Sequence, residues 1–558
     1  MNHSGLRYIL AATLFIFGGQ FMWSEEIKDE SGQEESAMQQ KTEKSRGYLT
    51  GSFETNTTLY HNDAKTSATV PDSKFGTNNY LKLDYYNNRF SAGVQLEAYA
   101  PVLVGYPTEL TKAALTNYYV SWTDKSFSVI AGTFYEQFGS GLLFRSWEDR
   151  ALGLNNSVMG ARVTYNYKDI FAIKALWGLP RFGMSFSDTQ VRGADANVGI
   201  SNAAGWTNVY LDVQGSVLSR YEKLAADPEI DGCKPNTTGW SARVNLETSG
   251  FYFKGEYVDA GMKYYYNSSY AGDGEMYYKK RGNAQLIETG YNNGGLGVGL
   301  TLRRMEWMGS KIINDNNSTS NMLNYIPAIC TQYTYMLTTL HPYSARTGDL
   351  TESFKNSGEL GGQIDVYYNF RRGTALGGKR GMKLHANFST YYSIAREGTF
   401  AAGNVLFRDF SIDWEKQWTK QFKSILLYSL QQYNPSYGAD NNLWTSHIVV
   451  ADLLYKYSKS FSTRLELQYL HTKSDRKDWI AAMLEVNFAP SWSIYFSDMF
   501  NYGSTKLNYY NGGVAYTKSR TRVALNYGRY KAGYICSGGV CRQIPAYTGL
   551  NLTVTTSF

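Results

Sequence analysis

From Tyr48 to Phe558 the chain repeats one unit: a run of alternating apolar and polar residues, a very short polar turn, a second alternating run, then a longer loop. Strand side chains alternate with a period of two, so each run reads as an extended strand with two unlike faces. In TRVALNYGRY, Val523, Leu525 and Tyr527 oppose Arg522, Ala524 and Asn526. In WIAAMLEVNF, Ile480, Leu484, Val486 and Phe488 oppose Met483, Glu485 and Asn487. In FSTRLELQYL, Leu465, Leu467 and Tyr469 oppose Arg464, Glu466 and Gln468.

Ten tight connections can be read, among them YNNR, TDKS, TSG, NNGG, APS and TKSR, each of hairpin length. Ten hairpins supply twenty strands; the opening GYLTGSFETNTTLYH and the closing TGLNLTVTTSF raise the count to about 22, in a range of roughly 18 to 24. The regions 195–220 and 325–340 each add or remove a pair. Longer stretches at 136–157, 261–281 and 307–357 separate the hairpins. Tight turns alternating with long loops are the asymmetry of outer-membrane barrels. In hydrocarbon each unpaired backbone group costs several kcal/mol, so a strand-only spanning chain must close on itself. The expected fold is all-β: a single closed antiparallel transmembrane β-barrel over residues 47–558, with tight periplasmic turns and long external loops. A secreted sandwich shares the alternation and stays open as the alternative. Abundant Tyr and Gly (47 and 53) with only 11 Pro suit strands and turns, not a helical enzyme. Trp122, Trp177, Trp414, Trp418 and Trp492 are expected near strand ends, in an interfacial aromatic girdle.

The N-terminus reads as an export signal over residues 1–24: Arg7 precedes the apolar run Tyr8 to Phe17, with cleavage near 18–24. An uncleaved anchor is the alternative, and the apolar stretch is short for one. Residues 25–46 are acidic and too poor in apolar groups to fold. They are also too few for the plug of a gated 22-stranded transporter. The formal charge of +7 is dispersed, which argues against nucleic acid as a partner. An exported chain permits disulfides, and Cys536 with Cys541 in YICSGGVCR form a plausible local pair, with Cys233 and Cys330 left unassigned.

One dense charge cluster follows a strand: Glu136, Arg145, Glu148, Asp149 and Arg150, among Gly139, Gly141 and Gly153. Folded into the lumen it makes a charge-selecting constriction. Alternatively it is a loop tied to the wall by ion pairs, or a solvated outer loop. The basic pairs Arg303 with Arg304, Arg371 with Arg372, and Lys379 with Arg380 read as interfacial snorkelling, with binding of anionic solute or lipid headgroups as the alternative. The histidines are scattered without a nucleophile motif, and no P-loop or metal-ligand spacing occurs, so no enzyme, cofactor or metal is expected.

The closing strand places Leu550, Leu552, Val554 and Phe558 on one face. It resembles the terminal strand of outer-membrane barrels generally, and the resemblance implies that these residues are read by the insertion machinery. GTFYEQFGSGLLFRSWEDRALGLNNSVMGARV (Gly132 to Val163), NYIPAICTQYTYMLTTLHPY, LGGKRGMKL and CSGGVCRQIPAYTGLNLTVTTSF resemble blocks of a family of uncharacterised outer-membrane proteins in Bacteroidota. That resemblance implies fold and an outer-membrane location, with lipid as a partner, and implies no activity. The expected function is passage of small to medium solutes through a mixed-charge lumen; the rival is a non-transporting barrel that docks or assembles a surface machine.

Overall fold

The run that ends the chain pairs antiparallel with the run that begins it: Thr55 faces Val554, Thr57 faces Leu552 and Leu59 faces Leu550. Phe558 and Gly51 exchange both backbone hydrogen bonds at 2.9 Å. This seam closes the sheet, and closure leaves no strand edge unpaired. The computed structural model describes residues 47–558 except 67, 69, 225–232, 268–275, 315–319, 346–357 and 538–539. The expected export signal and acidic segment fall within 1–46, outside the described residues.

Twenty-four antiparallel strands form the barrel, two more than the expected count of about 22. The ten expected hairpins are all present, together with the opening strand Tyr48–His61 and the closing strand Tyr547–Ser557. The added pair is Gln190–Gly199 with Val209–Tyr221. Its connection carries a helical turn, Ile200–Ala204, stopped by Gly205 in the left-handed region at φ 69°. A helical turn has none of the Asn-Gly or Asp-Gly chemistry that marks a two-residue hairpin, so this hairpin was the ambiguous one.

The region 261–281 also differs from its reading as a loop. The strands Phe251–Tyr266 and Tyr277–Asn293 continue their ladder to Tyr266 opposite Tyr277. The register shifts between Asp259 and Gly261, where Gly261 has φ 74°. A bulge inserts one residue and reverses which side chains face in, so the alternation breaks while the strand goes on.

The tightest connections between barrel strands, of two to four residues, lie at one end, with both termini of the barrel. Only two residues separate Asn87 from Phe90, Thr248 from Phe251, Asn293 from Leu296 and Lys518 from Thr521. Gly294 and Gly295 both take positive φ, 60° and 98°, as a type I′ turn requires. The outward faces are apolar and exposed: Ile480, Leu484, Ile494 and Phe496 sit together on the adjacent strands Trp479–Phe488 and Trp492–Asn501. A contiguous apolar band of this kind wants a partner other than water. Trp122, Trp414, Trp418 and Trp492 border it at the tight-turn end, with Phe461 5.2 Å from Phe488 and Trp492 4.7 Å from Tyr516. Trp177 departs from that expectation, lying mid-strand six positions past Phe171.

The apolar core is inside the barrel, toward the long-loop end. Leu427, Ile448, Val450, Leu470 and Trp479 point inward and cluster with Leu337 of the 307–345 connection. Phe138, Phe144 and Leu323 join Phe134, Val158, Leu176 and Val191 in a second cluster. Two long connections therefore fold back into the lumen.

Candidate functional site: a lumen lined by inward-folded segments

The 135–157 segment is bent inward by two miniature ladders, Gln137–Phe138 with Phe144–Arg145 and Glu148–Asp149 with Leu154–Asn155. Gly139, at φ 54°, lies so close to the wall that a Cβ there would meet the Arg243 and Glu256 side chains at about 2.5 Å. Polar anchors fix it. Arg162 Nη1 and Lys174 Nζ of the wall donate to Glu136 at 2.8 and 3.0 Å. Arg150 donates to Glu54 at 2.8 Å and to Glu148 at 3.2 Å, with its guanidinium 4.4 Å from the Tyr80 ring. Burial works against that charge, but the two carboxylates raise the Arg150 pKa overall. Gln95 donates to Glu148 at 3.0 Å. Arg145 stacks over Tyr325 at 4.0 Å, and Asp149 accepts the Leu152 N–H at 3.0 Å within its own turn. The five charged residues thus lie inside the barrel, and none of the ion pairs runs directly between Glu136 and the rest.

The second segment meets the first through Arg145 N–H to Leu323 O and Tyr325 N–H to Gly141 O, both 2.9 Å. From there it runs along the inner wall. Arg303 donates to Pro327 O and Tyr391 to Ile329 O, both at 2.6 Å. Tyr333 Oη donates to Asp413 at 2.7 Å, and Leu337 N–H to Gln468 at 2.8 Å. His341 Nε2 meets Asp475 at 3.1 Å, and that hydrogen bond holds the Asp475 carboxyl below the usual range. The segment returns through Tyr343, stacked on Tyr391 and Phe407 with ring centroids 4.9 Å apart and hydrogen-bonded to Glu359. Burial raises the Cys330 thiol and the Tyr333 phenol alike, so both stay neutral in this layer.

A third segment completes the layer. The hairpin Gly533–Ser537 with Val540–Ile544 is bridged by the Cys536–Cys541 disulfide. Arg542 donates to Ala151 O at 3.0 Å and lies 4.0 Å over Tyr106. Cys233 and Cys330 are free thiols.

Buried ion pairs hold the wall itself. Arg181 forks onto Glu97 through two bonds of 2.7 Å, with both side chains 1% exposed. Arg303 donates to Glu359 at 2.6 Å, and Arg304 pairs with Glu306. The snorkelling reading of Arg303 and Arg304 is therefore wrong: both are buried, Arg303 donating through Nη1 and Nη2 to Pro327 O and Glu359, and Arg304 to Thr399 O, Asn283 and Glu306. Arg181 and Glu97 are 84 residues apart and Arg303 and Glu359 56, so only a charge on an otherwise wall-facing position signals these two pairs in the sequence; Arg304 and Glu306 are near neighbours.

Beyond the layer, toward the tight-turn end, inward charges of both signs keep contact with water. Arg464 is 27% exposed and Glu415 32%. His385 cannot serve as a base for a neighbouring hydroxyl, since Asp413 and Asp365 engage both ring nitrogens at 2.7 and 3.2 Å. Among the described residues no cluster of His, Cys, Asp and Glu could hold a metal.

Large barrels are similar in outline. A P pilus usher (PapC) translocation pore matches at 8% identity and TM-score 0.42, covering 91% of this chain and 99% of its own. The siderophore receptor PirA from Pseudomonas aeruginosa matches at 10% identity and TM-score 0.40, covering 91% and 80%. A BenF-like porin from Pseudomonas fluorescens matches at 12% and 0.35, covering 76% and 98%. No curated protein matches the sequence. Residues 6–558 match the profile described as "Family of unknown function (DUF6029)", and the chain belongs to that family.

Proposed function

We propose that this protein is an integral outer-membrane β-barrel that passes small solutes by diffusion through a lumen narrowed by its own wall-bound segments. The observation that carries the reading is the pairing of two facts: residues 135–157 and 320–345 are tied to the wall by polar anchors, while the inward charges Arg464 and Glu415, nearer the tight-turn end, keep contact with water. Sixteen to eighteen strands already leave an aqueous channel, so a wall of 24 strands is wide enough to conduct past its three inward segments. The exposed apolar belt supports a lipid surround, and the tight-turn end is assigned to the periplasm. Glu136 with Arg162 and Lys174, and Arg150 with Glu54 and Glu148, form the constriction that selects by charge.

The test is planar-bilayer conductance of the full chain in detergent. Small, stable steps are expected, and removal of residues 320–343 enlarges them severalfold. Silence from both proteins at every voltage would overturn the reading. The rival, a sealed barrel used for docking, draws on the apolar packing of Leu337 against Ile448, Leu470 and Trp479. It predicts that silence together with co-purification of a partner protein.

A further inference from the structure

The inner wall near the NNGG turn lacks side chains where its neighbours have them. On Leu296–Glu306 the inward positions include Gly297 and Gly299; Gly299 pairs with Gly290, which also faces inward. On the flanking strands Tyr252 stands opposite Gly290, Asp365 opposite Gly299 and Tyr367 opposite Gly297. The result is a recess of about 640 Å³, within the range of about 300–1,000 Å³ typical of small-molecule sites.

Its chemistry is specific. The Tyr252 ring lies flat against the glycines: a Cβ on Gly290 would meet the ring at 2.5 Å, and one on Gly299 would meet only the phenol oxygen, at 3.6 Å. Tyr367 is half exposed, with one face stacked on His385 at 4.2 Å and 9° between planes. Asn292 and Asn369 line the rim with Asp365, whose hydrogen bonds from Asn387 and His385 both end on Oδ1. Lys254 stands opposite Glu288 in register, and one imidazole, His385, is shared by Asp365 and Asp413. Two aromatic faces, side-chain amides and one carboxylate oxygen suit a ligand with C–H faces and a fringe of hydroxyls.

We propose that this recess binds a neutral saccharide of one to three rings on its way through the lumen. The site rests on the conduit reading for access only.

Titration calorimetry of the full detergent-solubilised chain with maltotriose, cellotriose and mannotriose tests it. At least one of the three binds, and G299L and Y367A each weaken it by roughly tenfold, a change of about 1.4 kcal/mol. A Cβ at position 299 meets no backbone, so G299L extends into the recess, and retained heat-modifiable migration confirms that the barrel is intact. The proposal falls if none of the three binds, if both variants bind as the parent does, or if only the charged controls spermidine and trigalacturonate bind. Binding by a protein that never conducts keeps the site and removes the conduit; conductance without binding does the reverse.

Discussion

Arg529 Nε donates to Asp63 Oδ2 at 2.6 Å, across 466 residues of chain and within one strand of the seam. The same oxygen accepts Thr548 Oγ1 at 2.8 Å, so one carboxylate ties the opening, penultimate and closing strands. Arg529 and Asp63 are both nearly excluded from water. Hydrogen bonds to buried charges contribute about 1.5–3 kcal/mol, so R529A is expected to destabilise the barrel by roughly 2 kcal/mol. Urea unfolding in detergent measures this, and D63N combined with R529A should cost less than the two single losses added.

Glu136 holds Arg162 and Lys174 together. E136Q removes one negative charge and leaves both cations facing the lumen, so permeation should shift toward anions. Reversal potential in a salt gradient reads the shift. An unchanged potential would place the current elsewhere.

Leu337 is fully buried among wall residues. Its truncation to Ala should cost about 2–5 kcal/mol locally, released as loosening of the inner segment rather than of the wall. Limited proteolysis is expected to cut within residues 331–343 in L337A while the heat-modifiable barrel persists.

The His341–Asp475 contact gives a pH dependence with a defined sign. The Asp475 carboxyl is held below its ordinary value, chiefly by the His341 hydrogen bond. Its contribution to anchoring is therefore complete above the ordinary carboxylate pKa of about 3.9 and is lost as pH falls through the lowered value. Proteolytic resistance of the segment in D475N and in the parent should differ at neutral pH and converge in strong acid.

Phe558 pairs with Gly51 through backbone hydrogen bonds, its ring lies over Gly51, and the residue is 53% exposed. F558A should therefore change the stability of the assembled barrel by less than about 1 kcal/mol. If the aromatic terminus is read during insertion, the assembled fraction in cells falls severalfold. A normal assembled fraction would remove that role.

Alternation along Leu550, Leu552 and Val554 foretold an outward face, because a two-residue period is local geometry that each strand carries by itself. Turn chemistry, as at Gly294 and Gly295, foretold ten hairpins for the same reason. The Gln190–Gly199 hairpin stayed ambiguous because a helical turn connects it, and the bulge at Gly261 hid strand residues by reversing phase. The charge cluster at Glu136 to Arg150 was visible as a cluster, yet its partners Glu54, Arg162 and Lys174 were not.

The sequence by itself determined a chain of alternating strands with short turns at one end, since pleat and turn preferences act between neighbours. Only the tertiary structure decided that two long connections enter the lumen and which wall groups hold them. Those contacts join residues tens to hundreds of positions apart, and no local preference encodes such pairings until the barrel has closed.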